Sequence, residues 1–177
     1  MTTKLHVEMN FCRRCGSKLT QQDFAHVFKC EQGHVIFRNA SPAVCCILLN
    51  DQNEAVVLER AIDPGKGMLD APGGFCDGFE TAEVALAREL EEEIGLSAED
   101  YDTPQFLMSS LSPYAYRDEV LPVLDIMFTA RIKGEVLLTA GDDAASVRFM
   151  RLEDIDMDKV YFPDVREAFE RVRDSLS

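Results

Sequence analysis

Three carboxylates within one helical turn are the most chemically informative feature of this 177-residue chain. Val84, Ala87, Leu90 and Ile94 recur at helical spacing, so the stretch around them reads as a helix with one apolar stripe. On a neighbouring face Glu89, Glu92 and Glu93 stand at i, i+3 and i+4. Like charges at that spacing repel, and in the last turn they also face the negative end of the helix dipole. Together the two effects oppose the helix by roughly 1–2 kcal/mol. A divalent cation reverses the sign of both, and hard cations such as Mg²⁺ take carboxylate oxygens. Arg88 lies within i+4 reach of Glu92 and can orient one carboxylate. The plain alternative is a solvated acidic helix.

The flanking residues frame the cluster. Pro72-Gly73-Gly74 is a turn signal, and glycine lets the backbone approach a ligand or present a carbonyl oxygen to it. Thr81 suits an N-cap, with Glu83 near the positive end of the helix. Gly95 suits the residue just past the helix end, with Leu96 folding back onto Leu90. The whole pattern is Gly74, five residues, Glu80, seven residues, Arg88-Glu89-Leu90, one residue, Glu92-Glu93, one residue, Gly95-Leu96. This resembles the Nudix box, matched at every defining position.

The resemblance implies a Nudix (MutT-like) hydrolase: an α/β protein, built as an α/β/α sandwich around a mixed sheet. It implies a Mg²⁺- or Mn²⁺-dependent pyrophosphohydrolase that cleaves a nucleoside diphosphate linked to another moiety, by water attack on phosphorus. Carried onto this chain, Glu89, Glu92 and Glu93 hold the catalytic metals together with the Gly73 carbonyl, and Arg88 orients the glutamates. Glu89 is the box residue expected to assist water deprotonation, while Glu80 supports the loop. The chemistry is coherent, because an anionic diphosphate needs cations to neutralise it and to acidify the attacking water. The stretch Gly141–Phe149 is similar to a segment where many members carry a glutamate six residues before an aromatic. Asp143 occupies that position and is a further metal ligand or base, or else an ordinary Gly-Asp-Asp turn residue.

A second cluster lies near the N-terminus, where Cys12-Arg-Arg-Cys15 is followed by Cys30-Glu-Gln-Gly-His34. A C-x₂-C knuckle with a later Cys/His pair resembles a structural Zn²⁺ site. Unpaired thiols or a disulfide are the alternatives. Without a signal peptide the chain reads as cytoplasmic, which disfavours the disulfide. Cys45 and Cys46 fall in an apolar run and read as small core residues. A zinc ribbon leading into a Nudix domain resembles the NADH pyrophosphatase and ADP-ribose pyrophosphatase-like branches. Where the NADH branch carries a Ser-Gln-Pro-Trp-Pro-Phe-Pro-x-Ser signature, this chain has Ser109–Arg117 and no tryptophan. Tyr114, Tyr116 and Arg117 are candidates to contact a base or phosphate, or form a strand-end cluster.

The elements that must position these groups follow from patterning. A zinc ribbon is expected over residues 10–38 and a Nudix domain over residues 41–177. Short strands are expected at Val27–Lys29 and Val35–Arg38, a buried strand at residues 43–49, and another at Ala55–Arg60. Strands near Gln105–Leu111, Leu121–Ile132 and Ser146–Arg151 follow the box. Pro163 then opens a helix with Val165, Ala168, Phe169 and Val172 on one stripe. The chain carries a net charge of −14. Residues 1–40 hold six Lys/Arg against three Asp/Glu, and residues 41–177 hold twelve against twenty-nine, giving +3 and −17. Such an acidic body repels nucleic acid, so a nucleotide-diphosphate small molecule is the expected partner. No apolar run is long enough to cross a bilayer, and a homodimer is possible. Two other readings stay open, a nucleotide-sensing module without catalysis and a zinc-ribbon nucleic-acid adaptor.

Overall fold

The computed structural model describes residues 10–116, 119–141 and 143–176. Contacts group the chain into two units: Met1–Ser41 with Pro113–Val123, and Pro42–Ser112 with Leu124–Ser177. The small unit holds an antiparallel three-stranded sheet of β1 (Leu19–Gln21), β2 (Val27–Cys30) and β3 (Val35–Phe37). Its core is small, built from Cys12, Cys30 and Ile36 with Leu19 packed against them. A core of that size gives little stability without a covalent or metal staple.

The large unit is built on a seven-stranded sheet. Its principal order is β10 (Ala144–Arg151), β5 (Glu54–Arg60), β4 (Ser41–Leu49), β9 (Glu119–Arg131) and β8 (Gln105–Tyr116). Short strands β6 (Leu69–Asp70) and β7 (Gly73–Phe75) pair with β5 and β4. The Thr129 hydroxyl bonds to the Ile47 carbonyl and the Ile132 N–H to the Leu49 carbonyl, so β9 advances alongside β4 in parallel. Its neighbours β5 and β7 are antiparallel to β4, and the sheet is mixed.

Both faces of that sheet are covered. Along β4, Val44, Cys46 and Leu48 join one core with Ala85, Leu86, Leu90 and Ile94 of α1 (Ala82–Ile94). The alternate residues Cys45, Ile47 and Leu49 join a second core with Val165, Ala168, Phe169 and Val172 of α2 (Pro163–Ser175). This is why the run is apolar without alternation: a strand between two helical layers is buried on both sides. Cys45 and Cys46 are core residues on opposite faces.

Helix α2 buries the stripe read from the sequence and carries its proline in the first turn. Helix α1 buries Leu90 and Ile94 of its predicted stripe but departs from it at its start. Val84 is 54% exposed, while Ala85 and Leu86 are buried. The β7 segment packs on the side of α1 that carries the box carboxylates, so burial is rotated toward Ala85 and away from Val84. Strand β8 also runs on through Pro113, beyond the expected end at Leu111. It is a sheet edge, where proline removes no needed hydrogen bond. Among the described residues, no helix is long and apolar enough to cross a membrane.

Candidate active site

Helix α1 begins at a capped end: the Thr81 hydroxyl accepts from the Val84 N–H at 3.4 Å. It stops where Gly95 adopts φ 74°, a left-handed conformation that glycine takes without penalty. There the Gly95 and Leu96 N–H groups bond back to the Glu91 and Leu90 carbonyls. Between these caps Arg88 gathers four acceptors. Its Nε and Nη2 make a two-pronged contact with Glu80, each at 2.9 Å. Its Nη1 donates to Glu89 at 2.8 Å and Glu92 at 3.0 Å, and Nη2 also reaches the Phe75 carbonyl at 3.0 Å. Glu80 additionally accepts from the Asp77 N–H. The pair Glu80–Arg88 thus ties the loop after β7 to the helix while aiming two carboxylates.

Glu93 is held differently. Its Oε2 accepts from the Gly73 N–H at 2.9 Å, which fixes the strand end against the helix. A Cβ on Gly73 would lie 2.1 Å from the Val44 carbonyl oxygen, and one on Gly74 would lie 2.5 Å from the Glu89 carboxylate. At Gly73, where the neighbouring atoms are backbone, only glycine lets the two strands approach this closely. The loop bearing Asp143 reaches the same place from β9. The Thr139 and Gly141 N–H groups donate to the Ile94 and Glu93 carbonyls at 3.1 and 2.8 Å, satisfying the free end of α1. Asp143 is exposed, and its carbonyl accepts from Ala61 at 2.9 Å.

The electrostatics record the crowding. Burial, with Glu89, Asp70 and Asp143 nearby, pushes the Glu93 carboxyl up to about 8, despite the Gly73 N–H. Burial also raises Glu89, against the pull of Arg88. Glu80, gripped by Arg88, is held down to about 2. A buried carboxyl among others strains toward protonation, and a cation relieves it. The donors are all oxygen, which fits Mg²⁺ or Mn²⁺.

The predicted box residues Gly73, Arg88, Glu89, Glu92 and Glu93 therefore come together, with Asp143 on the adjoining loop. Tyr116 ends β8, and Arg117 lies outside the described residues. Sequence reading passed over a further set of acids, Asp70, Asp125 and Asp164. Asp70 is buried, pairs with Arg60 at 2.6 Å, and is raised by burial to about 6. Asp125 is raised to about 7 by burial and by Asp164, with Ser112 donating to it. Ser110 donates to Asp164 at 3.1 Å. Their only sequence signal was a lone aspartate inside an apolar strand, as in Leu124-Asp125-Ile126.

In the small unit, Cys12, Cys15, Cys30 and His34 bring four ligand atoms within 4.8 Å of one another. Cys15 and Cys30 sulfurs are 3.8 Å apart, and Cys12 sulfur is 3.6 Å from His34 Nδ1. A tetrahedral zinc with ordinary Zn–S bonds sets sulfurs about 3.8 Å apart. Two backbone turns make the arrangement, with Gly16 N–H bonded to the Cys12 carbonyl and Gly33 N–H to the Cys30 carbonyl. Bonds from Ser17 draw the Cys15 thiol down to about 6, toward the thiolate that a metal requires.

Comparison with known proteins agrees with this geometry. The family model described as NUDIX domain matches residues 40–172. An ADP-ribose pyrophosphatase of Methanocaldococcus jannaschii is 33% identical over 110 residues, covering 61% of this chain and 60% of that protein. An NAD-capped RNA hydrolase of Pseudomonas aeruginosa is 27% identical over 124 residues, covering 65% of this chain and 44% of that protein. The matches thus span less than two thirds of these relatives' lengths. A Nudix hydrolase structure from Nitrosomonas europaea superposes with a TM-score of 0.70 at 21% identity, covering 94% of this chain and 92% of that one.

Proposed function

The chain belongs to the Nudix family, and from that premise we propose that it is a Mg²⁺- or Mn²⁺-dependent pyrophosphohydrolase. Its substrate would be a diphosphate that joins a nucleoside to a second moiety. The observation that carries this reading is the convergence of Glu89, Glu92 and Glu93 on the Gly73 turn, with Glu93 half-buried and pushed toward protonation. Together with the Gly73 carbonyl and Asp143, they would hold the divalent cation. The cation would neutralise the diphosphate and make a water at phosphorus easier to deprotonate. Glu89 would accept that proton, since Arg88 holds one of its oxygens and leaves the other. Arg88 keeps the carboxylates aimed, and Glu80 keeps Arg88 in place.

Cys12, Cys15, Cys30 and His34 would bind a structural Zn²⁺ that staples the small core. On this reading a ribbon over residues 10–38 precedes a catalytic domain over residues 41–177. Six free cysteines suit a reducing, cytoplasmic setting.

For the substrate, the names of the relatives favour a bridged diphosphate such as ADP-ribose, NADH or a nucleotide sugar over a nucleoside triphosphate. Screening those compounds with Mg²⁺ or Mn²⁺, and identifying the products, tests this directly. The expected result is cleavage between the two phosphorus atoms, with no turnover when divalent cations are withheld. If a nucleoside triphosphate gave the highest kcat/KM, the substrate ranking would fall and the reaction class would stand. If nothing were cleaved while nucleotides still bound, the chain would be a sensor.

A further inference from the structure

The small unit presents a surface that neither the acidic site nor the Cys/His cluster uses. Strand register sets Thr20 beside Lys29, Lys29 beside Val35, and Val27 beside Phe37. These residues share the sheet face opposite buried Phe28, Cys30 and Ile36. On it Phe37 is 58% exposed, and Phe24, in the turn between β1 and β2, is 66% exposed. The His26 ring stands between them, its centre 6.1 Å from that of Phe24 and 6.2 Å from that of Phe37. Flat rings left in water in a row are costly, and such patches mark contact surfaces.

The charge of this stretch of sequence is opposite to that of the rest of the chain, and Lys29 stands on the ring-bearing face itself, while Arg38 stacks over Phe28 on the other face. Residues 10–41 carry Arg13, Arg14, Lys18, Lys29 and Arg38 against Asp23 and Glu31, a net of +3. The surplus of negative charge in the chain lies entirely beyond residue 40. With a screening length of about 8 Å at physiological salt, a charge acts mainly on the ligand groups nearest to it.

We propose that this face binds single-stranded nucleic acid. Exposed aromatic rings accept bases by stacking without regard to sequence, while flanking lysine and arginine side chains follow the phosphates. A duplex hides its base faces and so could use only the cations. An acidic patch on a second copy of the chain would also match the cations, and sedimentation separates that occupant from a nucleic acid.

The test is fluorescence anisotropy with labelled oligouridine and the full-length, metal-replete protein at about 50 and about 200 mM salt. Binding should weaken steeply with salt, and a duplex of equal length should bind at least about tenfold more weakly. The double variant Phe24→Ala, Phe37→Ala should lose at least about tenfold in affinity, with zinc content and small-substrate turnover unchanged. Lys29→Glu, a surface change that leaves the small core untouched, should weaken binding and reduce the salt slope. Equal affinity for strand and duplex, or unchanged binding in both variants, would overturn the proposal. So would sedimentation showing that the wild-type chain self-associates and that the double variant abolishes this without affecting oligonucleotide binding.

Discussion

Glu93 is the residue on which the proposed chemistry turns most sharply. It is half-buried, accepts one backbone N–H, and has Glu89, Asp70 and Asp143 as electrostatic neighbours. With its carboxyl pushed to about 8, it holds a proton near neutrality in metal-free protein, and cation binding must expel that proton. Apparent Mn²⁺ affinity should therefore rise by up to about tenfold per pH unit, then level off above about pH 8. Titration calorimetry across that range checks this, and a flat profile would remove Glu93 from the ligand set. Glu93→Gln and Glu92→Gln preserve shape and delete charge. Each should lower kcat by at least ~10²-fold while the circular dichroism spectrum stays unchanged. Near-normal turnover in either variant would mean that the cluster is not the metal site.

At the scale of elements, the site is a junction where the start of β7, the last turn of α1 and the loop entering β10 meet without spare room. Two glycines measure that tolerance in different ways. A Cβ on Gly74 would meet only the end of the flexible Glu89 side chain. Gly74→Ala should therefore displace one ligand, lowering activity at least about tenfold with little change in Tm. A Cβ on Gly141 would lie 2.1 Å from the Glu92 backbone oxygen, so one backbone must move. Gly141→Ala should break the bond from Gly141 to Glu93 and shift the loop bearing Asp143. Both activity and Tm should fall, and differential scanning calorimetry beside a turnover assay distinguishes the two variants. Equal behaviour would mean that the Asp143 loop is not positioned through Gly141.

For the whole molecule, stability has an unusual dependence on pH. Glu93, Asp125 and Asp70 have folded-state values near 8, 7 and 6, all above their ordinary values of 4.5, 3.8 and 3.8. Between the ordinary and raised values the folded state binds more protons than the unfolded state, so stability falls as pH rises. Protein dialysed free of Mg²⁺ should melt higher at about pH 6 than at about pH 8. Mg²⁺ should restore the loss at the upper end by binding the folded site. A Tm that rises with pH over this window would contradict the burial of these three acids. The small unit responds to a different ion. The purified chain should hold about one zinc, and Cys12→Ser should release it and melt the small unit first, because a bound structural zinc is folding energy. Elemental analysis finding no zinc in protein prepared without chelator would exclude it.

The parts legible in the sequence were those written in local spacing. Glu89, Glu92, Glu93 and Arg88 lie on one helix, whose period fixes their neighbours, and the Cys12–Cys15 and Cys30–His34 pairs are two turns of backbone. The α2 stripe and the doubly buried β4 run were legible for the same reason. What spacing could not give was set by contacts between distant segments. The phase of α1, with Val84 outward and Ala85 inward, was decided by β7 packing beside the carboxylates. The approach of Asp143 depended on Gly141 capping a helix that ends 47 residues earlier, at Ile94. Asp70, Asp125 and Asp164 come from three separate elements and meet only because the sheet and α2 bury them together. The raised proton affinities of Asp70 and Asp125 follow from that burial. The sequence by itself determined which groups could bind a cation, because helical and turn geometry are local. The tertiary structure decided how dry, how crowded and how tightly held those groups are, because desolvation is a property of everything packed around a charge.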